Sequence, residues 1–288
     1  MTGALMDFFE LIRRLTVTAL FSDDILSEQL VLKGGNAMAL ALRLGGRSSL
    51  DIDFSLAGDF DDAADAERRA RKALEERFDS AGYRVFDFSF KAKPKIKGDD
   101  QRPWWGGYQI EFKLMKVEDY HRLAERPVKR SIQAERTGRD QQRKLVVDIS
   151  KNEYITGSIE HELDHYTIRV YTPSMVAAEK LRALCQQMDG YEIHGRNARA
   201  RDFYDIYVAI TDGEASLADE AGQQLVRAMF EAKRVPLAFL GKLETEREFH
   251  RPDWANVVSA VPGELKEFDF YFDFVLGQVR ALEALWNE

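Results

Sequence analysis

Residues 31–54 read Val-Leu-Lys-Gly-Gly-Asn-Ala-Met-Ala-Leu-Ala-Leu-Arg-Leu-Gly-Gly-Arg-Ser-Ser-Leu-Asp-Ile-Asp-Phe, and the fold turns on this stretch. Val31 and Leu32 are expected to end a buried strand, Gly34 and Gly35 to make a tight turn, and Asn36 to Leu44 to form a short apolar helix closed by Gly45 and Gly46. A second strand should carry Asp51 and Asp53. Strand side chains alternate, so these carboxylates share a face roughly 6–7 Å apart along the strand, while Ile52 and Phe54 pack on the other. Paired carboxylates suit hard cations. The amides of a glycine-rich turn into a helix suit phosphate, because no Cβ blocks close approach and the helix N-terminus favours anions. Together they describe a site for a nucleoside triphosphate and a divalent metal.

The order Gly34-Gly35, short helix, Arg47, Ser49 and Asp51-Ile52-Asp53-Phe54 resembles the signature of the polymerase-β-like nucleotidyltransferases. It is most similar to the AbiEii/AbiGii toxin family, whose first motif runs Gly-Gly-Thr-Ala-Leu, a spacer, then Arg-x-Ser-x-Asp-Leu/Ile-Asp. The chain departs from it at Asn36, where the family usually has Thr or Ser; an amide can still donate to phosphate.

The composition frames this reading. With 288 residues, 45% hydrophobic and 31% charged, the chain fits one large or two modest domains of a soluble globular protein. No run of about 18 apolar residues exists to span a membrane. The amphipathic stretch from Leu5 to Leu20 carries Asp7, Glu10, Arg13 and Arg14, which does not suit a secretory leader. Cys185 is the only cysteine and reads as a buried helical thiol, so a cytoplasmic location is expected. The net charge of −8 argues against indiscriminate coating of nucleic acid. That charge is uneven, however. Lys91, Lys93, Lys95 and Lys97 lie within seven residues without an acid, and residues 126–144 hold seven basic side chains against Glu135 and Asp140. These segments read either as solvated loops or as a local surface for a polyanion such as RNA.

Taken in order, residues 3–30 read as one or two amphipathic helices covering a sheet. Asp59 is expected to cap a charged helix that runs to about Ala81, where Gly82 stops it. Tyr83 to Phe90, Trp104 to Lys116 and Lys144 to Ile149 read as strands; in the second, Tyr108, Ile110, Phe112 and Leu114 alternate with Gln109, Glu111 and Lys113. Residues 161–165, His-Glu-Leu-Asp-His, match a zinc-protease pattern that works only on a helix. The strand-forming Tyr166 to Tyr171 follows at once, so a solvated polar loop is expected there. Thr172 and Pro173 then start a helix to about Met188. A polar loop over residues 189–200 precedes a further helix striped by Phe203, Ile206 and Ile210. Helical periodicity broken by Pro236, Pro252 and Pro262 completes the chain, with Trp254, Phe268, Phe270, Tyr271, Phe272, Phe274 and Trp286 as candidates for core or a partner groove.

Three later motifs gain meaning from the resemblance. The segment Leu145 to Ile149 matches the family's Leu-x-x-Asp-Ile, which gives Asp148 the part of third metal ligand beside Asp51 and Asp53. Glu179-Lys180-Leu181 matches the third motif, whose lysine contacts the nucleotide's phosphates. Arg199 to Tyr207 is similar to the fourth motif and gives Asp202, or its neighbour Asp205, the part of aiding deprotonation of the attacking hydroxyl. An Arg201–Asp205 pair across one helical turn is the plainer reading of Asp205.

The expected fold is therefore α/β (α+β): a nucleotidyltransferase-type mixed sheet flanked by helices over residues 1–171, with a helical C-terminal domain over residues 172–288 that contributes active-site residues. The resemblance implies a toxin of a bacterial toxin–antitoxin system, with a cognate antitoxin encoded nearby. It would transfer NMP from NTP to an acceptor hydroxyl, an RNA (tRNA) 3′ end foremost. Two Mg²⁺ ions, or Mn²⁺ in their place, would sit on Asp51, Asp53 and Asp148. Gly34, Gly35, Asn36, Arg47, Ser49 and Lys180 would bind the nucleotide, and Lys91, Lys93, Lys95 and Lys97 the RNA. An NTP-dependent phosphotransferase and a non-catalytic nucleotide-binding protein are the other classes the residues allow.

Overall fold

The computed structural model describes residues 7–45, 51–94, 104–137, 142–193 and 195–286. The chain divides into two compact units. One holds residues 1–36, 49–155 and 159–170, and the other residues 37–48, 156–158 and 171–288. Both units are thus discontinuous in sequence. Among the described residues no helix is long and apolar enough to cross a membrane.

The first unit opens with α1 (Phe8–Phe21) and α2 (Asp24–Gln29), the latter started by Asp23, whose carboxylate accepts from the amides of Ile25 and Leu26. The short strand β1 (Val31–Lys33) runs into a single helical turn, α3 (Gly34–Asn36). Then come β2 (Ile52–Ser55), α4 (Ala63–Ser80), β3 (Tyr83–Lys93) and β4 (Gly107–Lys116). The helices α5 (Val117–Arg122) and α6 (Pro127–Gln133) lead to β5 (Leu145–Ser150), β6 (Ile159–Leu163) and β7 (Tyr166–Val170). The seven strands form one mixed sheet in the order β3-β4-β5-β2-β1-β7-β6. β2 runs parallel to β5, and β1 parallel to β7; the other neighbours are antiparallel.

One face of this sheet is apolar because alternate residues of each strand are. Ile52, Phe54, Ile110, Phe112, Leu114, Val147 and Ile149 are all buried. Helices α1 and α4 supply the matching layer: Phe21 meets Phe54 at 6.0 Å between ring centroids, and Phe78 meets Phe112 at 5.7 Å. Each such aromatic, fully buried, contributes about 1.5–3 kcal/mol from apolar burial. The start of α4 differs from expectation. Asp62, not Asp59, is its cap and accepts from the amides of Ala64 and Asp65. Asp59 instead accepts from the Tyr108 hydroxyl at 2.6 Å and the Lys151 ammonium at 2.7 Å, an ion pair that outcompetes a capping role.

The His-Glu-Leu-Asp-His segment is not a loop. His161 lies on the edge strand β6, and Asp164 and His165, with φ of 50° and 68°, form the two-residue turn into β7. Strand pairing sets His161 opposite Ile168, so the segment lacks the helical face that its zinc-site reading requires. Asp164 accepts from Arg14 Nε at 3.0 Å, which fastens the turn to α1.

The second unit is helical. A π-helix over Ala37–Leu42 stands where an ordinary apolar helix to Leu44 is expected; it stops two residues early, with Arg43 at φ +55° ahead of Gly45 at +69°. Helix α7 (Pro173–Cys185) begins as its sequence indicates, with Thr172 Oγ1 accepting from the Met175 amide at 3.2 Å. α8 (Ala200–Thr211) and α9 (Glu220–Ala232) pack on α7. The short helices α10 (Arg247–His250) and α11 (Trp254–Ala260) follow a 3₁₀ stretch over Leu237–Glu246, and α12 (Phe268–Arg280) lies against α8. The C-terminal aromatics are mostly core: Phe203 stacks on Phe272 at 4.9 Å and meets Phe268 edge-on at 5.5 Å, while Phe270 is 44% exposed. Cys185 is buried at the end of α7, and burial pushes its thiol far above the ordinary value.

Candidate active site

The polar face of the sheet carries the first cluster. Strand register sets Lys33 beside Asp53, Asp53 beside Asp148, Asp148 beside Gln109, and Gln109 beside Lys91. Residues in register on neighbouring strands point to one face with about 5 Å between strands, so these five form a single row across β1, β2, β5, β4 and β3. Asp53 and Asp148 are thus nearer neighbours than the strand spacing of Asp51 and Asp53 suggests. Asp51 stands one residue before β2.

Each member of the row is held by specific partners. Gln109 Nε2 donates to Asp148 Oδ1 at 3.0 Å, and Lys93 Nζ reaches the same oxygen at 3.1 Å. Lys91 pairs with Glu111 at 3.6 Å, and Lys144 reaches the same Glu111 oxygen at 2.8 Å. These contacts, Lys144 first and Lys91 after it, help to hold the Glu111 carboxyl below the usual carboxylate range. Lys33 is buried and donates to Ser150 Oγ at 3.3 Å and to Glu153 Oε1 at 3.4 Å.

The glycine turn is shaped to this row. Gly34 has φ +66°, and a Cβ there would come 3.1 Å from Asp53 Oδ2, so backbone conformation and space both call for glycine. Asn36 is fully buried, and its Nδ2 donates to the backbone carbonyl of Asp51 at 2.5 Å. One of the two N–H donors of the amide expected to reach a phosphate thus braces the entry to β2. Its Oδ1 has no hydrogen-bond partner among the described residues.

Among the described residues no three carboxylates, imidazoles or thiols close around a common point. The donor chemistry nevertheless fits a hard divalent cation. Two carboxylates lie in register, and an ammonium already stands against one of them in the place of a cation. Asp53 and Asp148, with Asp51 at the strand entry, are the residues that could hold one.

The second cluster belongs to the helical unit. Lys180 of α7 is 7% exposed and lies 3.0 Å from Asp202 Oδ1 and 3.0 Å from Asp205 Oδ2, one turn apart on α8. Asp205 thus has Lys180 as an ion-pair partner, beyond the Arg201 that spacing alone suggests. Arg199 Nε also pairs with Asp202. Burial pushes the Asp202 carboxyl up, but Arg199 and Lys180 outweigh it and hold the group far below the usual range. The start of α8 is fastened from below: His250 Nδ1 accepts from the Arg199 amide at 3.0 Å, and Asp253 accepts from the Ala200 amide at 3.0 Å. Burial lowers His250 to about 4.

Of the residues singled out from sequence, Asp53 and Asp148 come together on the sheet, and Lys180, Asp202 and Asp205 come together on the helices. Arg47, Ser49, Lys95 and Lys97 lie outside the described residues. Lys91 and Lys93 are on the same face as Asp148 but are engaged with carboxylates. Sequence reading missed Lys33, Gln109 and Arg199. A lysine ending an apolar strand immediately before the double glycine is the signal that could have flagged Lys33.

A family model described as nucleotidyl transferase AbiEii toxin, type IV TA system, matches residues 17–274. No curated protein sequence matches the chain. Among solved structures, a protein from H. pylori assigned as a nucleotidyltransferase aligns with a TM-score of 0.47 and 17% identity, covering 96% of this chain and 94% of that one. The antibiotic-resistance factor ANT(2'')-Ia aligns with a TM-score of 0.34 and 13% identity, covering 83% and 99%. An antigenic nucleotidyltransferase-like protein from Paracoccidioides brasiliensis aligns at 0.35 and 15%, covering 89% and 94%.

Proposed function

We propose, on the premise that the chain belongs to the AbiEii nucleotidyltransferase toxin family of type IV toxin–antitoxin systems, that it transfers a nucleoside monophosphate from NTP to a hydroxyl at an RNA 3′ end, tRNA foremost. The observation that carries this reading is the row Lys33, Asp53, Asp148, Gln109 and Lys91 beside the Gly34 turn. In the transfer, the acceptor oxygen bonds to the α-phosphorus while the α–β bridging bond breaks and pyrophosphate leaves.

Asp51, Asp53 and Asp148 would hold Mg²⁺, with Mn²⁺ as a substitute. A divalent cation bound there supplies charge neutralisation for the polyphosphate and acidifies the acceptor hydroxyl. The backbone of Gly34 and Gly35 would cradle phosphate, with Arg47 and Ser49 following in the same motif. Lys33, buried beside the row, is paired with Glu153 at 3.4 Å.

Lys180 is proposed to contact the nucleotide's phosphates, giving up one of its two aspartates to do so. Asp202, or Asp205, is proposed to aid deprotonation of the acceptor. Because Arg199 and Lys180 keep Asp202 ionised, its part would be to accept and orient a hydrogen bond rather than to serve as a strong base. Lys91 and Lys93, each about half exposed on the row's face, would meet the RNA backbone together with Lys95 and Lys97.

The test incubates the protein with each NTP carrying either α-³²P or γ-³²P, with total RNA and total protein as acceptors. Label from α-³²P alone, in RNA, is the expected result. Label from γ-³²P would identify a phosphotransferase, and label confined to protein would remove the RNA acceptor.

A further inference from the structure

We infer that Lys93 is the resident counter-ion of the metal site: its ammonium neutralises Asp148 until a divalent cation displaces it, and so sets how tightly metal is bound. This rests on the reading of Asp53 and Asp148 as metal ligands.

The geometry is specific. Lys93 is the last residue of β3, and its Nζ stands 3.1 Å from Asp148 Oδ1. Asp148 is in register with Asp53 on the adjacent parallel strand. Two carboxylates side by side on one face repel each other, so without a metal a positive charge nearby relieves the pair. Lys93 supplies it.

The same contact is built to exchange. Lys93 and Asp148 are 52% and 38% exposed, so water screens the pair and competes for both groups. A lysine is a point charge on a flexible stem, which swings away at little cost, unlike a planar guanidinium locked to both carboxylate oxygens. Gln109 holds Oδ1 of Asp148 as well, at 3.0 Å, so the carboxylate keeps its orientation when the ammonium leaves. Lys91, two residues back on the same strand, provides the contrast. It faces Glu111, which Lys144 already neutralises.

The experiment is Mn²⁺ binding to the full chain without nucleotide, followed by electron paramagnetic resonance of free Mn²⁺. Wild type, Lys93→Met, Lys93→Gln, Lys93→Arg and Lys91→Met are compared, and thermal melts check that each is folded. Removing one screened charge should tighten Mn²⁺ binding about three- to tenfold in Lys93→Met and Lys93→Gln. Lys93→Arg and Lys91→Met should stay within about twofold of wild type. In the Asp148→Asn background, Lys93→Met should lose its effect. Equal or weaker binding by both neutral Lys93 variants overturns the counter-ion role while leaving the metal site intact. Absence of Mn²⁺ binding in every protein, wild type included, brings down the assignment of the ligands themselves and the counter-ion role with it.

Discussion

Asp53 and Asp148 stand in register on adjacent parallel strands, so the two carboxylates are paired by backbone hydrogen bonding between segments far apart in the chain. Neither can shift along its strand without breaking the β2–β5 ladder. Preorganised charge of this kind is costly to the apo protein and useful once a cation binds.

Asp53→Asn should therefore lower α-phosphate label transfer by about a hundredfold or more while leaving the protein folded. Because one of two repelling charges is removed, its melting temperature without divalent cations should equal or exceed that of wild type. Asp51→Ala should behave alike, since the bond from Asn36 goes to the backbone carbonyl and survives the change. Full activity of either variant at saturating Mg²⁺ would remove that residue from the ligand set.

Gly34→Ala and Gly82→Ala separate backbone strain from contact. Both positions have positive φ, +66° and +82°, so each substitution should cost about 1–2 kcal/mol in chemical denaturation. Only at Gly34 does the added methyl meet Asp53 Oδ2, at 3.1 Å; at Gly82 nothing lies within 4 Å. Gly34→Ala should thus also weaken Mn²⁺ binding, and Gly82→Ala should not. Equal Mn²⁺ affinities would show that the Gly34 contact has no bearing on Asp53.

Lys180→Met should destabilise the protein by roughly 3–5 kcal/mol, because two buried aspartates then face each other without their shared cation. Asp205→Asn leaves Lys180 paired with Asp202 and should cost less, about 1–3 kcal/mol. Urea denaturation of both variants measures the order. A larger loss for Asp205→Asn would show that contacts of Asp205 beyond Lys180 dominate.

His250 predicts a pH dependence. Its folded value of about 4 lies below the ordinary 6.5, so between these values the unfolded chain binds more protons. The stability it confers is complete above about pH 6.5 and is lost as pH falls toward 4, on the order of 1.4 kcal/mol per pH unit. Protonation would also forfeit the bond that Nδ1 accepts from the Arg199 amide. His250→Gln should flatten the stability profile between pH 6.5 and 4; an unchanged slope would assign the acid sensitivity elsewhere.

What could be seen in the sequence was local. The double glycine and the Thr172-Pro173 helix start each depend on residues within a turn or two and were found where expected, and Asp53 lies on its strand, although that strand begins at Ile52 and leaves Asp51 just outside it. The polar row was not legible, because Gln109 and Lys33 join Asp53 and Asp148 only through pairing across strands. The π-helix at Ala37–Leu42 was hidden for another reason: an unbroken apolar run has no polar face to distinguish one helical pitch from another. Asp59 and Asp62 both precede α4, but Asp62 adjoins its first turn while Asp59 is held by Tyr108 and Lys151, partners far along the chain that the sequence does not reveal.

The strand order also bears on how the protein comes apart. β2 occupies the middle of seven strands, with β5 on one side and β1 on the other, whereas β3 and β6 are edges. Edge amides fray by local opening, but those of a central strand exchange with solvent only when the whole sheet opens. The amides of residues 52–55 should thus be among the slowest to take up deuterium, and heat should silence the enzyme at the global melt rather than before it.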